Sequence, residues 1–319
     1  MKLPPIPGGV WSATPTPLNH AKRFEPANIG SLVEHHVRLG IKGLMLAGTC
    51  GEGPWLRADD RERLTRGSVE ASAGRLRIAL QVTDNSIGRA LVNIDQAAAW
   101  GAEIAVIDAP WFFMNSTPER KLEYYRQIVR QSSLPIGFYD RGKQTPHALP
   151  ETHLAEFLAE PNLVMVKDSS QSESRRDLYL AACKIRPDLV VLNGDEFDCV
   201  NYLKAGYSGL LLGGGVFNGA IANRLIDAVR DGDLPEAERL QARMNDLMFR
   251  VYGGPKIECW LTGLKELLVQ MKIFSTNVNT LGYPLTAQCL AQIQGAVDGS
   301  DELGYKEDLF GLPSTLSSC

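Results

Sequence analysis

Leu163-Val164-Met165-Val166-Lys167 is an apolar run closed by an amine, and it opens directly into the polar segment Asp168-Ser169-Ser170. A short apolar stretch rich in β-branched residues and bounded by turn formers reads as a buried strand. Upstream, Pro135-Ile136-Gly137-Phe138-Tyr139 reads the same way and ends on a phenol. Working outward, the spacing predicts further strands over 9–13, 43–47, 76–82, 103–107, 189–192 and 209–212. Amphipathic stretches at 29–39, 58–72, 87–100, 118–131, 150–158, 173–185 and 197–204 lie between them and read as helices. Thr117-Pro118-Glu119 places a proline just inside a helix after a threonine cap. Gly101 and Gly206 follow helical stretches and suit the left-handed position that ends them. Strands that alternate with helices are joined by crossovers and so run parallel. Eight such units in roughly two hundred residues is the arithmetic of an α/β fold of the (β/α)8 TIM-barrel type.

An open doubly wound sheet is the competing architecture. Its dinucleotide-binding form carries GxGxxG after the first strand, whereas here that strand leads into Thr14-Pro15-Thr16-Pro17. Gly213-Gly214-Gly215 follows the eighth strand, where barrels often hold phosphate, although three glycines at a strand end equally serve a tight turn. Beyond it, helices are expected over 220–229, 235–252, 256–271 and 284–297, and the last three exceed what a barrel needs. The expected organisation is therefore a barrel over 1–230, a C-terminal helical extension over 231–297 and a tail over 298–319.

The 319 residues suffice for a large core, and 44% hydrophobic with 22% charged residues is ordinary for a globular chain. A formal net charge of −4 without a basic run gives no footprint for nucleic acid. No apolar stretch has the length that spans a bilayer, and the start resembles no signal peptide. Cys50, Cys183, Cys199, Cys259, Cys289 and Cys319 are scattered, which suits reduced thiols in a cytoplasmic protein. No metal is expected, since the cysteines show no ligand spacing and the adjacent His35 and His36 diverge on a helix. No cofactor is expected either.

Mapped onto this scheme, the chemistry-bearing residues gather at one end of the barrel. Thr14 follows the first strand, Thr49-Cys50-Gly51-Glu52 the second and Asn193-Gly194-Asp195 the seventh, while Tyr139 and Lys167 close the fifth and sixth. These are all strand C-termini, the face on which barrels build active sites. A lysine whose stem lies among apolar side chains loses hydration of its ammonium form, which makes neutral amine available for imine formation. The plain alternative is a lysine that snorkels from a buried strand into solvent. Thr49, Cys50 and the peptide N–H groups around Gly51 are donors suited to a carboxylate, or an ordinary turn. Cys50, near an amine and hydroxyls, is either partly thiolate or a neutral packing residue.

In order and with compatible spacing from about Gly8 to Thr286, these segments resemble the dihydrodipicolinate synthase/N-acetylneuraminate lyase family of pyruvate-dependent class I aldolases. Thr49-Cys50-Gly51-Glu52 is similar to the family's Gly-Thr/Ser-Thr-Gly-Glu loop, and Tyr139-Asp140 stands where the family has Tyr-Asn. Val166-Lys167-Asp168 matches its Schiff-base segment, Asn193-Gly194-Asp195 its turn after strand seven, and Leu261–Met271 its C-terminal helix. The resemblance implies a TIM barrel and a lyase or aldolase acting on pyruvate or another small 2-keto acid. Lys167 would form the imine and Tyr139 would shuttle protons. Thr49, Cys50 and Gly51 would hold the carboxylate, with the Gly194 carbonyl near the imine. It also implies a homo-oligomer, a tetramer or dimer. A keto-deoxy sugar-acid dehydratase, dihydrodipicolinate synthase itself and a non-catalytic 2-keto-acid binding protein are the alternatives. Three departures bear on these. Ala109-Pro110-Trp111-Phe112-Phe113-Met114 lacks the relay tyrosine after strand four, Cys50 replaces a threonine, and Gln144 stands where the synthase has an arginine. Arg141 or Lys143 would then supply positive charge, and Trp111, Phe112 and Phe113 would form either a wall for a second substrate or packing at the rim.

Overall fold

The computed structural model describes residues 5–298, so the expected tail lies, beyond Asp298, outside the described residues. Eight parallel strands close on themselves in sequence order: β1 (Gly9–Ala13), β2 (Gly43–Leu46), β3 (Arg77–Gln81), β4 (Ile104–Ile107), β5 (Ile136–Asp140), β6 (Leu163–Asp168), β7 (Val190–Asn193) and β8 (Gly209–Leu212). Pairing of β1 with both β2 and β8 completes the TIM barrel. The expected strands match to within a residue or two at each end. Between them run α1 (Ile29–Arg38), α2 (Ala58–Ser72), α3 (Ile87–Ala99), α4 (Pro118–Gln131), α5 (Glu151–Leu158), α6 (Glu173–Ile185) and α7 (Cys199–Ala205). Thr117 caps α4 by accepting from the Arg120 N–H, and Gly206 ends α7 at φ +114°.

The barrel interior is filled by alternating large and small side chains. Trp11 is fully buried, and β2 offers it Gly43, where an added Cβ would lie 2.4 Å from the indole. Gly137 makes the same room for Met165 and Val106. Ser12 points the other way, to His36 on α1, as the two-residue period of a strand requires.

Past β8 come α8 (Gly215–Arg230), α9 (Leu234–Tyr252), α10 (Trp260–Gln270) and α11 (Ala287–Asp298). Three starts differ from the sequence expectation. α8 begins at Gly215 rather than Ala220, because the third residue of the glycine run is already helical. α10 begins at Trp260 rather than Lys256, since Gly253, Gly254 and Ile257 all have positive φ and turn the chain first. α11 begins after Pro284, with the Thr286 hydroxyl accepting from the Cys289 N–H.

Candidate active site

Strands β5 and β6 pair so that Tyr139 lies opposite Lys167 and Asp140 opposite Asp168. Alternation sends the first pair into the barrel mouth and the second outward to the helices. Lys167 Nζ sits 4.2 Å from the centroid of the Tyr139 ring, and both residues are more than nine-tenths buried. On the outer side, Asp168 accepts hydrogen bonds from the Tyr207 hydroxyl at 2.6 Å and the Ser170 N–H at 2.9 Å. Asp140 accepts from Arg175 Nε at 2.5 Å, from the Gly142 N–H at 2.9 Å and from the Tyr179 hydroxyl. Each strand end is therefore fixed from behind, which limits how far the amine and the phenol can drift.

A cavity of about 290 Å3 opens over this pair, bordered also by Thr49, Cys50, Arg141, Gln144 and Gly194. Wider clefts of about 610 Å3 exist elsewhere, but they include neither Lys167 nor Tyr139. The chemistry of its lining, rather than its size, marks the smaller cavity as the candidate site. Thr49 Oγ1 is buried there without a hydrogen-bond partner in the protein. Burial pushes the Cys50 thiol up to about 12, with the nearby Glu196 carboxyl adding to the effect, which favours the neutral packing residue of the two alternatives. Gly51 lies behind the lining: an added Cβ would meet Ala47 N and Thr14 O, and its carbonyl accepts from the Thr16 hydroxyl at 2.7 Å. Gly194 is pressed against the lysine stem, with an added Cβ falling 2.9 Å from Lys167 Cε. Thr14 is buried and hydrogen-bonds to the Ser12 carbonyl.

Positive charge comes from Arg141 rather than Lys143. The Arg141 guanidinium borders the cavity and lies 5.7 Å from the Trp111 ring and 5.9 Å from the Tyr139 ring. Lys143 instead lines a cleft outside the barrel mouth. Arg141 Nε and Asp108 Oδ2 are 2.8 Å apart, an ion pair without hydrogen-bond alignment. Burial raises the Asp108 carboxyl to about 6, and Arg141 opposes the rise. Of the two roles open to Trp111, Phe112 and Phe113, a wall of the Lys167 cavity is not seen, since none of them borders it. Trp111 reaches it only through Arg141, Phe112 is 63% exposed, and Phe113 packs on Tyr124 and His147.

Two functional candidates escaped the sequence reading. Glu196 borders the cavity, where its carboxylate accepts the Gly214 N–H at 2.6 Å and the Tyr252 hydroxyl at 3.0 Å. Burial raises this carboxyl, while Gly214, Tyr252 and Lys167 oppose the rise. Because Glu196 already occupies the Gly214 N–H at the start of α8, the turn alternative for Gly213-Gly214-Gly215 is favoured over phosphate: the turn cradles the protein's own carboxylate. The signal was the adjacency of Glu196 to Asp195 at a strand end. Trp260, from the start of α10, closes another side of the cavity, and nothing in its local sequence pointed there.

With this geometry established, comparison places the chain. A family model, the dihydrodipicolinate synthetase family, matches residues 6–287. The chain belongs to that family. It is accordingly an enzyme of the lyase and aldolase class that the family resemblance implied. Among curated relatives, N-acetylneuraminate lyase of Rhizobium meliloti is 30% identical over 238 residues, 74% of this chain and 78% of the relative. The 4-hydroxy-tetrahydrodipicolinate synthase of Hyphomonas neptunium is 26% identical over 77% of this chain and 84% of its own. Among solved structures, dihydrodipicolinate synthase from Bacteroides thetaiotaomicron aligns with a TM-score of 0.84 at 23% identity, over 93% of this chain and all of that one. A prophage family member from E. coli K12, solved in complex with pyruvate, aligns at 0.80 and 19% identity over 92% and 98%. These structural likenesses are likenesses of fold.

Proposed function

We propose that the protein joins Lys167 Nζ to the C2 carbonyl of pyruvate or a related 2-keto acid as an imine, and uses it for reversible carbon–carbon cleavage and condensation. The observation that carries this is the enclosed amine of Lys167 beside the Tyr139 ring, in register across two strand ends of the barrel mouth. The lysine attacks the carbonyl and the carbonyl oxygen leaves as water, giving a protonated imine that acts as an electron sink. In cleavage, the C3–C4 bonding pair moves into the imine to form an enamine. The C4 hydroxyl meanwhile loses its proton and becomes the carbonyl of the aldehyde product. Protonation at C3 and hydrolysis then return pyruvate and the free amine. Tyr139 serves as the acid and base within reach of these proton transfers.

Thr49 and Cys50 hold the keto-acid carboxylate, a role supported by the unpartnered, buried Thr49 hydroxyl. Gly194 leaves room for the lysine stem. Glu196 and Asp195 give the β7 side acceptors for substrate hydroxyls, which suits a hydroxylated sugar acid. Arg141 in place of an arginine at Gln144, and Phe112 in place of a relay phenol, argue against dihydrodipicolinate synthesis as the activity. One observation favours a second reading, dehydration of a keto-deoxy sugar acid: Glu196 borders the same cavity as Lys167, where an acid that protonates a departing hydroxyl would stand, and burial shifts its carboxyl upward. A homo-oligomer is supported by the exposure of Trp55, Phe112 and Met114 at the β2 and β4 loops. Free cysteines and the lack of a helix long and apolar enough to cross a membrane among the described residues are compatible with a cytoplasmic setting.

The test is borohydride reduction in the presence of pyruvate, followed by peptide mapping. A reduced pyruvyl adduct on Lys167, absent in Lys167→Ala, is the expected result. Failure of pyruvate and of other 2-keto acids to leave an adduct would put the binding-protein alternative first. Product analysis with hydroxylated 2-keto acids separates cleavage, which yields pyruvate, from dehydration, which does not.

A further inference from the structure

Glu52 closes the Thr49-Cys50-Gly51-Glu52 loop yet does not border the cavity. Its backbone is left-handed at φ +57°, an uncommon state for a residue with a side chain. Its carboxylate is wholly buried and paired with Lys265 of α10, itself wholly buried. The same carboxylate accepts from the Thr280 N–H at 2.5 Å and the Thr280 hydroxyl at 2.6 Å, and Lys265 Nζ also donates to the Val278 carbonyl at 2.8 Å. Three donors thus converge on one loop residue, all from the C-terminal extension.

A buried ion pair is weak evidence of stabilisation, because desolvation offsets the attraction and an apolar pair of similar volume does as well. What this one does is set geometry. The turn it closes is already pressed onto the end of β2: Glu52 N–H donates to the Thr49 carbonyl at 3.1 Å and Gly53 N–H to the Gly48 carbonyl at 3.1 Å. A Cβ at Gly53 would fall 1.7 Å from the Ala47 carbonyl oxygen. The turn that carries Thr49 and Cys50 is thus held between the end of β2 on one side and the Glu52 carboxylate's partners on the other. Trp260, five residues before Lys265 on the same helix, borders the cavity directly.

We propose that Lys265 and Thr280 act through Glu52 as positioning residues that hold Thr49 and Cys50 in the shape that binds the keto-acid carboxylate, making the C-terminal extension part of the binding machinery. The proposal rests on the reading of Lys167 and this loop given above, and its test separates the two. Thr280→Val removes one hydrogen bond to the carboxylate, Thr280→Ser restores it, and the double variant Glu52→Gln/Lys265→Met removes both charges without leaving either one buried alone. Hydrogen exchange at the amides of residues 49–53 needs no ligand. Exchange there is expected to quicken in Thr280→Val and in the double variant by about tenfold or more, the loss expected when a hydrogen bond to a charged group is removed. Amides of β6 stay protected, and Thr280→Ser behaves as the parent.

In parallel, the pyruvate concentration that half-saturates borohydride trapping is expected to rise by about tenfold, while the trapping rate at saturation changes by less than about threefold. Unchanged exchange at 49–53 in folded variants, or exchange that quickens equally across the barrel, would overturn the proposal. If the parent protein traps no 2-keto acid, the functional reading falls, and the exchange pattern still decides whether the extension holds the loop. Should the double variant not fold, the contrast between Thr280→Val and Thr280→Ser decides the matter alone.

Discussion

Replacing Gly194 with alanine tests the placement of the reactive amine more sharply than removing the amine does. Gly194 is not among the glycines with positive φ, so alanine meets no backbone penalty there. The added methyl would instead fall 2.9 Å from Lys167 Cε and 2.2 Å from Ser169 Oγ. Ser169 relieves its overlap by rotating. The lysine cannot do so as easily, because Asp168 beside it is fixed by Tyr207 and Ser170. Carbon atoms rest about 3.5–4.0 Å apart, so Cε must retreat by roughly 0.6–1 Å. A misplacement of about 1 Å at a reacting group costs on the order of 100-fold in rate, equivalent to about 2.7 kcal/mol of barrier. Overpacking itself destabilises by about 1–3 kcal/mol, which lowers the melting temperature by several degrees without unfolding the protein at 25 °C. The assay is the time course of borohydride trapping at saturating pyruvate, with Gly88→Ala as a control because nothing lies within 4 Å of its added carbon. A Gly194→Ala protein that traps pyruvate at the parental rate would refute the idea that this glycine sets the position of Lys167.

Three further outcomes follow from the same geometry. Tyr139→Phe is expected to keep trapping pyruvate on Lys167 while turnover of a cleavable 2-keto acid slows by roughly 10²–10⁴-fold; normal turnover would remove Tyr139 from its assigned role. Glu196→Gln preserves an acceptor for the Gly214 N–H, so pyruvate trapping should be retained, while turnover of hydroxylated keto acids falls by about tenfold or more; unchanged turnover would place no substrate hydroxyl there. Acid should weaken the fold through two histidines. Burial lowers His35 to about 4 and His36 to about 3, with Arg38 adding to the first and His35 to the second. The unfolded chain therefore binds more protons below about pH 6.5. Their contribution is fully present above that pH and is lost as pH falls toward about 4 and then 3, by up to about 1.4 kcal/mol per histidine per pH unit. Thermal melts from pH 7 to 5 check this, and a His35→Gln/His36→Gln protein with the parental pH slope would contradict it.

The barrel was legible because its signals are local. Each strand is a short apolar run and each crossover helix an amphipathic one, so period and caps sufficed, and α2, α4 and α6 agree end to end with expectation. Tyr139 and Lys167 were legible for a related reason: a polar residue at the last position of an apolar run can only sit at the rim. Glu196 was harder, because its role depends on Gly214 and Tyr252, which arrive from the turn before α8 and the end of α9. Trp260 and Lys265 were hidden altogether, since no local pattern tells which way an appended helix docks. The glycine run was ambiguous because glycines at a helix start serve an external anion and an internal carboxylate alike.

The alternation that made the strands readable also organises the chemistry. At β5 and β6 the inward residue is reactive and its outward neighbour is an aspartate anchored to the surrounding layer, Asp140 to Arg175 and Tyr179, Asp168 to Tyr207. β4 breaks the pattern: Asp108 shares the inward parity of Ile104 and Val106, and its carboxyl is paired to Arg141 inside the mouth. Where a relay phenol would have stood on the following loop, this pair brings a charge to Tyr139, with Arg141 5.9 Å from its ring and Lys167 Nζ nearer still at 4.2 Å. An anionic substrate group approaching the Tyr139 side must then share Arg141 with Asp108, whereas on the Glu196 side it meets a carboxyl head-on. On the proposed reading, with the acid at Thr49 and Cys50 and the ketone at Lys167, the β7 side is left for the substrate's hydroxyls. That polarity makes a hydroxylated 2-keto acid without a phosphate the first substrate class to screen.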